Sequence, residues 1–127
     1  MKPVIHESKQ APAPIGPYSQ AVEMNGFVFC SGQIPLDPVS GQVKGETVSE
    51  QAEQVMANVK AVLTASDLAL KNIVKTTIFL TDMADFQAVN EVYSKHMGDT
   101  KPARSTVAVQ GLPRGVKVEI EVLAARF

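Results

Sequence analysis

Two stretches near the end of the chain set the terms for any fold it adopts. Residues 102–109 read Pro-Ala-Arg-Ser-Thr-Val-Ala-Val, and residues 116–122 read Val-Lys-Val-Glu-Ile-Glu-Val. In the second, Val116, Val118, Ile120 and Val122 fall on one face of an extended strand. Lys117, Glu119, Glu121 and the following Leu123 fall on the other, because side chains alternate with a period of two. In the first, Val107 and Val109 share a face, opposite Arg104, Thr106 and Ala108. Gly111-Leu112-Pro113-Arg114-Gly115 between them is rich in turn residues, so the pattern predicts a β-hairpin. A register slip of one residue would turn one valine set out of the core, so the apolar faces must coincide. Arg104 then shares a sheet face with Glu119 and Glu121. With Thr106 opposite Glu119, Arg104 becomes its diagonal neighbour at roughly 7–8 Å. A guanidinium and a carboxylate at that spacing leave room for a small anion and a water. The plainer alternative is a weakly stabilising cross-strand ion pair on a wet face.

The rest of the chain supplies three more strands and two helices. Pro3, Pro12, Pro14 and Pro17 keep residues 1–17 extended. Tyr18–Met24 and Phe27–Ser31 flank Asn25-Gly26, a strong two-residue hairpin signal. Ser31-Gly32-Gln33-Ile34-Pro35 leaves the sheet, and Asp37–Gly41 is a loop. Thr47-Val48-Ser49-Glu50 forms a capping box. It opens a helix whose stripe is Val48, Ala52, Val55, Met56, Val59, Val62 and Leu63, running to about residue 65. Gln51, Glu53, Gln54, Asn58 and Lys60 are expected on its polar side. Ile73–Thr81 reads as a strand, with Val74, Ile78 and Leu80 on one face and Ile73, Thr77 and Phe79 on the other. Asp82 or Asp85 caps a second helix, buried through Phe86, Val89, Tyr93 and Met97, with Asn90 at the margin of that stripe.

The expected order is therefore β-β-α-β-α-β-β in one domain spanning residues 1–127, an α+β fold with about five or six strands. Two helices can cover only one face of such a sheet. Ile73, Phe79 and Leu123 would then lie on the uncovered face, which implies a homo-oligomer packed through bare sheet faces.

Composition narrows the function. A formal net charge of −1 gives no basic excess with which to neutralise phosphates. No apolar run reaches membrane-spanning length, and residues 1–7 contain no apolar leader core. One cysteine excludes an intrachain disulfide and suits a reducing compartment, the cytosol. His6 and His96 are far apart and Cys30 has no suitably spaced partner, so no metal site is expected. His96 suits the end of a helix, where the dipole favours a cation. Cys30 lies in a strand between Phe29 and Ser31 and reads as a packing residue. Tyr18 reads either as an amphipathic core residue or as a donor at a cleft rim. Gly32 either makes a turn or lets a ligand approach the backbone.

Taken together, several spaced segments resemble the reactive-intermediate deaminase family (RidA, formerly YjgF). They are Ile15-Gly16-Pro17-Tyr18-Ser19-Gln20-Ala21, Ser31-Gly32-Gln33-Ile34-Pro35, Asn58–Leu63, Val74-Lys75-Thr76-Thr77, Asp85-Phe86 with Val89-Asn90, Pro102-Ala103-Arg104-Ser105, and Val118-Glu119-Ile120-Glu121. The resemblance implies a chorismate-mutase-like fold and a homotrimeric barrel with clefts between subunits. It implies hydrolysis of 2-imino acids, such as 2-iminobutanoate and 2-iminopropanoate, to 2-keto acids and ammonia, without a cofactor. Arg104 resembles the carboxylate-binding arginine, and Glu119 the residue that positions or activates water. Tyr18, Ser31 and Asn90 resemble cleft-lining residues, with backbone near Gly32 and Thr106 at the imine nitrogen.

The planar fork of Arg104 suits a carboxylate. Glu119 suits a general base if partial burial raises its pKa. An imine carbon is already electrophilic. Thr106 stands where many members have cysteine, and Asp67 where a helix-ending glycine is common. A non-catalytic module binding carboxylate metabolites or proteins is the alternative. A ribonuclease or translation-inhibitor role, also attached to the family's naming, is disfavoured by the near-neutral charge and the lack of a His/Lys acid–base pair.

Overall fold

A computed structural model describes all of residues 1–127. Six strands form one sheet: β1 (Val4–His6), β2 (Ala21–Met24), β3 (Phe27–Cys30), β4 (Ile73–Leu80), β5 (Ala103–Ala108) and β6 (Val118–Ala125). Helix α1 (Val48–Ala65) follows β3, and α2 (Phe86–Met97) lies between β4 and β5. In space the strands run β1-β2-β3-β6-β4-β5, so the α+β architecture with helices on one face is as the sequence pattern predicts.

The first hairpin forms as expected, with Ala21 opposite Cys30 and Asn25 and Gly26 at φ 54° and 79°. Both turn residues are left-handed, as a tight turn matched to strand twist requires. Helix α1 starts on the expected box: the Thr47 hydroxyl accepts from Glu50 N–H at 3.1 Å, and the Glu50 carboxylate accepts from Thr47 N–H at 3.0 Å. It ends where Asp67 turns left-handed at φ 58° and Leu68 N–H donates to Leu63 C=O. Asp67 thus occupies the conformation that a helix-ending glycine would take more easily. Asp82 caps only the short 3-10 turn that precedes α2, accepting from Ala84 N–H at 2.9 Å.

Four expectations need correction. The predicted C-terminal hairpin does not form. Strand β4 lies between β5 and β6, pairing parallel with β5 (Thr76 with Arg104) and antiparallel with β6 (Phe79 with Glu119). The reason is the order β4-α2-β5: a helix between two strands returns the chain in the same direction, so the second strand joins in parallel. A bulge between Ile73 and Lys75 also turns Ile73 into the core and leaves Val74 exposed, the reverse of strict alternation. Residues 4–6, expected only to be extended, pair with β2 as a third strand of that end of the sheet. Finally, Gln51 and Asn58 are buried, although helical spacing places them off the apolar stripe.

Those two amides hold the long segment between β3 and α1. Asn58 Nδ2 donates to Ile34 C=O and Leu36 C=O, each at 3.1 Å, and Asn58 Oδ1 accepts from Gln54 at 2.9 Å. Gln51 donates to Gly45 C=O and accepts from Lys117 N–H at 2.8 Å. The segment carrying Gly32 is therefore tied to the helix on one side. On the other it is tied to β6 by reciprocal Gln33–Ile120 backbone bonds of 2.9 and 3.1 Å. At the far end of the sheet Arg126 and His6 both bind Glu23, whose carboxyl is held down to about 2, chiefly by the Arg126 hydrogen bond.

The helices bury Val118, Ile120, Val122 and Ala124 of β6 against Val55, Val59, Val62 and Leu63 of α1 and Val89 of α2. The opposite sheet face is bare. Phe27, Phe29 and Val107 are 44%, 51% and 41% exposed there, beside half-buried Phe79 and Leu123. No helix is long and apolar enough to cross a membrane.

Asn58→Ala should lower the unfolding free energy by about 2–4 kcal/mol, because it strands the Ile34 and Leu36 carbonyls. Thr47→Ala should cost only about 1 kcal/mol, as expected for a helix cap. Urea unfolding at fixed protein concentration measures both.

Candidate active site

The predicted site residues gather in two places, one on each side of the sheet. Because Arg104 pairs with Thr76, its side chain lies on the helix side with Thr76, Ile78 and Leu80. There Arg104 Nη1 donates to Asn90 Oδ1 at 2.7 Å. The guanidinium also lies over the Phe86 and Tyr93 rings, 5.5 and 5.1 Å from their centroids. Tyr93 is fixed in turn, since its buried hydroxyl bonds Thr76 Oγ1 at 3.1 Å. Aromatic faces attract the cation without neutralising it. Arg104 forms no ion pair in the chain. It borders an open cleft of about 470 Å³ between the end of α2 and the start of β5, lined also by Ser94, Thr100 and Lys101. Thr106, two residues on, shares its face, and the buried Thr106 Oγ1 has no hydrogen-bond partner.

Glu119 is on the other side, since it pairs with Phe79 on the bare face. The shared-face, diagonal placement of Arg104 and Glu119 predicted from the hairpin is therefore incorrect. Within one chain the sheet separates them. The segment after β3 brings Gly32 against Glu119. A Cβ on Gly32 would overlap the Glu119 carboxylate, lying 2.9 Å from its Cδ. Gly32 thus leaves room for the Glu119 carboxylate, a close approach within the chain that differs from both roles considered for it. Tyr18 is 53% exposed and shares with Gly32 a second cavity of about 160 Å³, floored by Ile15, Ile34 and Leu36. Its hydroxyl accepts a long 3.4 Å hydrogen bond from Ile15 N–H. Ser31 links this region to the sheet, donating from Oγ to Ser19 C=O at 2.6 Å.

The two halves differ electrostatically. Burial raises the Glu119 pKa above the ordinary carboxylate value, and the negative charge of Glu121 adds to the shift. Such a carboxylate holds a proton more readily than an exposed one. The Cys30 thiol is pushed up to about 12 by burial, so it packs as an apolar residue and is no nucleophile. His96 is bound to Glu53 across the helix pair, as is Lys95. No three metal-ligating side chains come together.

Sequence reasoning missed the aromatic bed beneath Arg104, because it assigned Phe86 and Tyr93 to the core alone. Phe86, Asn90 and Tyr93 stand four and three residues apart, on one helix face, and that spacing was the available signal.

Known proteins resemble this chain over nearly its whole length. Residues 8–126 match the family model described as endoribonuclease L-PSP. A crystal structure of a Thermotoga maritima protein superposes with a TM-score of 0.96 at 50% identity, covering 100% of this chain and 99% of that one. E. coli TdcF, solved with bound serine, superposes at 0.93 with 42% identity, covering 98% and 99%. The chloroplastic Reactive Intermediate Deaminase A of Arabidopsis thaliana is 45% identical over 124 residues, 98% of this chain and 66% of the plant protein. The chain belongs to the endoribonuclease L-PSP family. This is the RidA (YjgF) family that the spaced motifs resemble.

A carboxyl-carbon NMR titration should place the Glu119 midpoint above that of an exposed glutamate. Glu121→Gln removes the neighbouring negative charge and should lower that midpoint. A Glu119 midpoint at the ordinary value in both proteins would contradict the electrostatic account.

Proposed function

We propose that the protein hydrolyses 2-imino acids to 2-keto acids and ammonia in clefts between subunits of a homotrimer. The observation that carries this reading is the state of Arg104. It is a cation fixed by a neutral amide and two rings, with no carboxylate of its own chain to neutralise it. An uncompensated, pre-oriented guanidinium is a receptor for an anion, and its planar fork suits a carboxylate. The second support is Glu119, a half-buried acid of raised pKa beside a glycine that permits close approach. The name of the Arabidopsis relative and the serine bound to TdcF agree with an amino-acid-like ligand.

The sheet keeps these halves apart in one chain, so a second copy must bring Glu119, Gly32 and Tyr18 to the Arg104 cleft. The bare face, with Phe27, Phe29 and Val107 exposed, supports assembly through that surface. In the reaction, Arg104 holds the substrate carboxylate and Asn90 holds Arg104. Glu119 takes a proton from water as the water oxygen bonds to the imine carbon. Returned to the imine nitrogen, that proton completes a neutral carbinolamine; Glu119 then carries the hydroxyl proton to the nitrogen as the C–N bond breaks and the C=O bond forms. Ammonia and the 2-keto acid result. Much of the gain comes from orientation, because the imine carbon is electrophilic without a cofactor. The single thiol suits a reducing compartment such as the cytosol.

Arg104→Ala should reduce kcat/KM at least about 100-fold, corresponding to about 2.7 kcal/mol of lost transition-state stabilisation. It should leave the oligomer intact by sedimentation. The assay is ammonia released from 2-iminobutanoate made in place by threonine dehydratase. Near-full activity of Arg104→Ala would remove the arginine from the mechanism. Because Glu119 must be ionised to act as base, kcat/KM should fall as pH drops through its raised pKa. Glu121→Gln should move that acid limb to lower pH.

A further inference from the structure

The chain has three arginines, and only Arg126 has a carboxylate partner, Glu23. The other two, Arg104 and Arg114, lie one in each half of the proposed site. Arg114 lines the small cavity that also contains Gly32 and Tyr18, and Gly32 in turn lies against Glu119. Its only hydrogen bond to the chain is from Nη1 to Gly41 C=O at 3.3 Å. That single neutral acceptor leaves the charge uncompensated and most of the guanidinium donors free.

Arg114 is also held in an unusual backbone state. It has φ 61° and ψ 16°, and Gly115 follows at φ 68°. Two successive left-handed residues are unremarkable for glycine but rare for arginine. Exposed turns with that geometry ordinarily carry glycine, asparagine or aspartate. A long charged side chain kept at such a position, and lining a cavity, points to a use for the charge.

The cavity has an apolar floor of Pro12, Ile15, Ile34 and Leu36, with Arg114 as its only cationic residue. Its volume of about 160 Å³ holds a short chain of a few carbon atoms. One of its walls, Gly32, is where the Glu119 carboxylate sits.

We propose that Arg104 and Arg114 read the two ends of one substrate, so that the protein accepts 2-imino dicarboxylates. Arg104 takes the carboxylate beside the imine carbon. The methylenes lie on Ile15, Ile34 and Leu36, and Arg114 takes the acidic group at the end of the side chain. This rests on the imine-hydrolase reading, because Arg104 of one subunit must face the cavity of another. The chemistry at the imine carbon is unchanged; Arg114 adds selection among side chains.

The test compares kcat/KM for 2-iminoglutarate and 2-iminobutanoate, generated in place by a glutamate-oxidising enzyme and by threonine dehydratase. Arg114→Gly suits the left-handed backbone and so preserves the turn, while Arg114→Glu reverses the charge. The expected result is a fall of about tenfold in the dicarboxylate-to-monocarboxylate ratio for Arg114→Gly, mainly through KM. Arg114→Glu should lower the ratio further. A ratio changed less than about twofold by both variants overturns the assignment. So does a wild-type protein that hydrolyses 2-iminobutanoate but not 2-iminoglutarate, and in either case the deaminase reading stands. Hydrolysis of neither imine overturns both.

Discussion

Two helices laid on one face of a six-stranded sheet leave the other face uncovered, and the rest of the molecule follows from that asymmetry. The covered side is largely apolar, as Val118, Ile120, Val122 and Ala124 are along β6. The bare side must be mixed: Glu119 and Glu121 alternate along β6 with those buried residues, while Phe29 and Phe79 lie on neighbouring strands. Both halves of the proposed site sit where cover runs out. Arg104 is on the edge strand at the margin of α2, supported by one helix and open beyond it. Glu119 is half-buried by a loop crossing rather than by a helix, which raises its pKa without removing it from water.

The parts of the fold that were legible in the sequence are those fixed by local chemistry. A capping box, a seven-member apolar stripe and an Asn-Gly turn each constrain only a few adjacent residues, and each appears where expected. Strand partnership is a different kind of information. The alternation of Val107 and Val109 with Arg104 and Thr106 fits pairing with β6 or with β4 equally well. The choice is made by the chain between, since α2 returns it to run parallel to β4. The available signal was the β4-α2-β5 order itself, since a strand–helix–strand run predicts parallel pairing. The bulge at Val74 and the buried amides of Gln51 and Asn58 answer to particular backbone groups far away in sequence, which periodicity cannot register.

For the site, residue types were easier to read than their arrangement. A lone arginine in a strand and two glutamates in another suggested an anion and an acid; Arg104 borders an open cleft and Glu119 is half-buried. Their separation by one layer of sheet was hidden, because it depends on the pairing that alternation leaves open. The Phe86–Asn90–Tyr93 bed beneath Arg104 is a case where one set of side chains serves both the core and the cation. Periodicity reports only the first use.

The strand order has a further consequence for how the molecule comes into being. β6 is the last of the six strands to be synthesised, yet it lies between β3 and β4, near the middle of the sheet. A nascent polypeptide still lacking it holds two disconnected ribbons, β1-β2-β3 and β4-β5, whose inner edges have no partner. Unpaired inner edges of that kind invite association with other incomplete chains. Insertion of a single late ribbon joins the pieces and removes both edges together, so closure of this fold is a terminal, cooperative event.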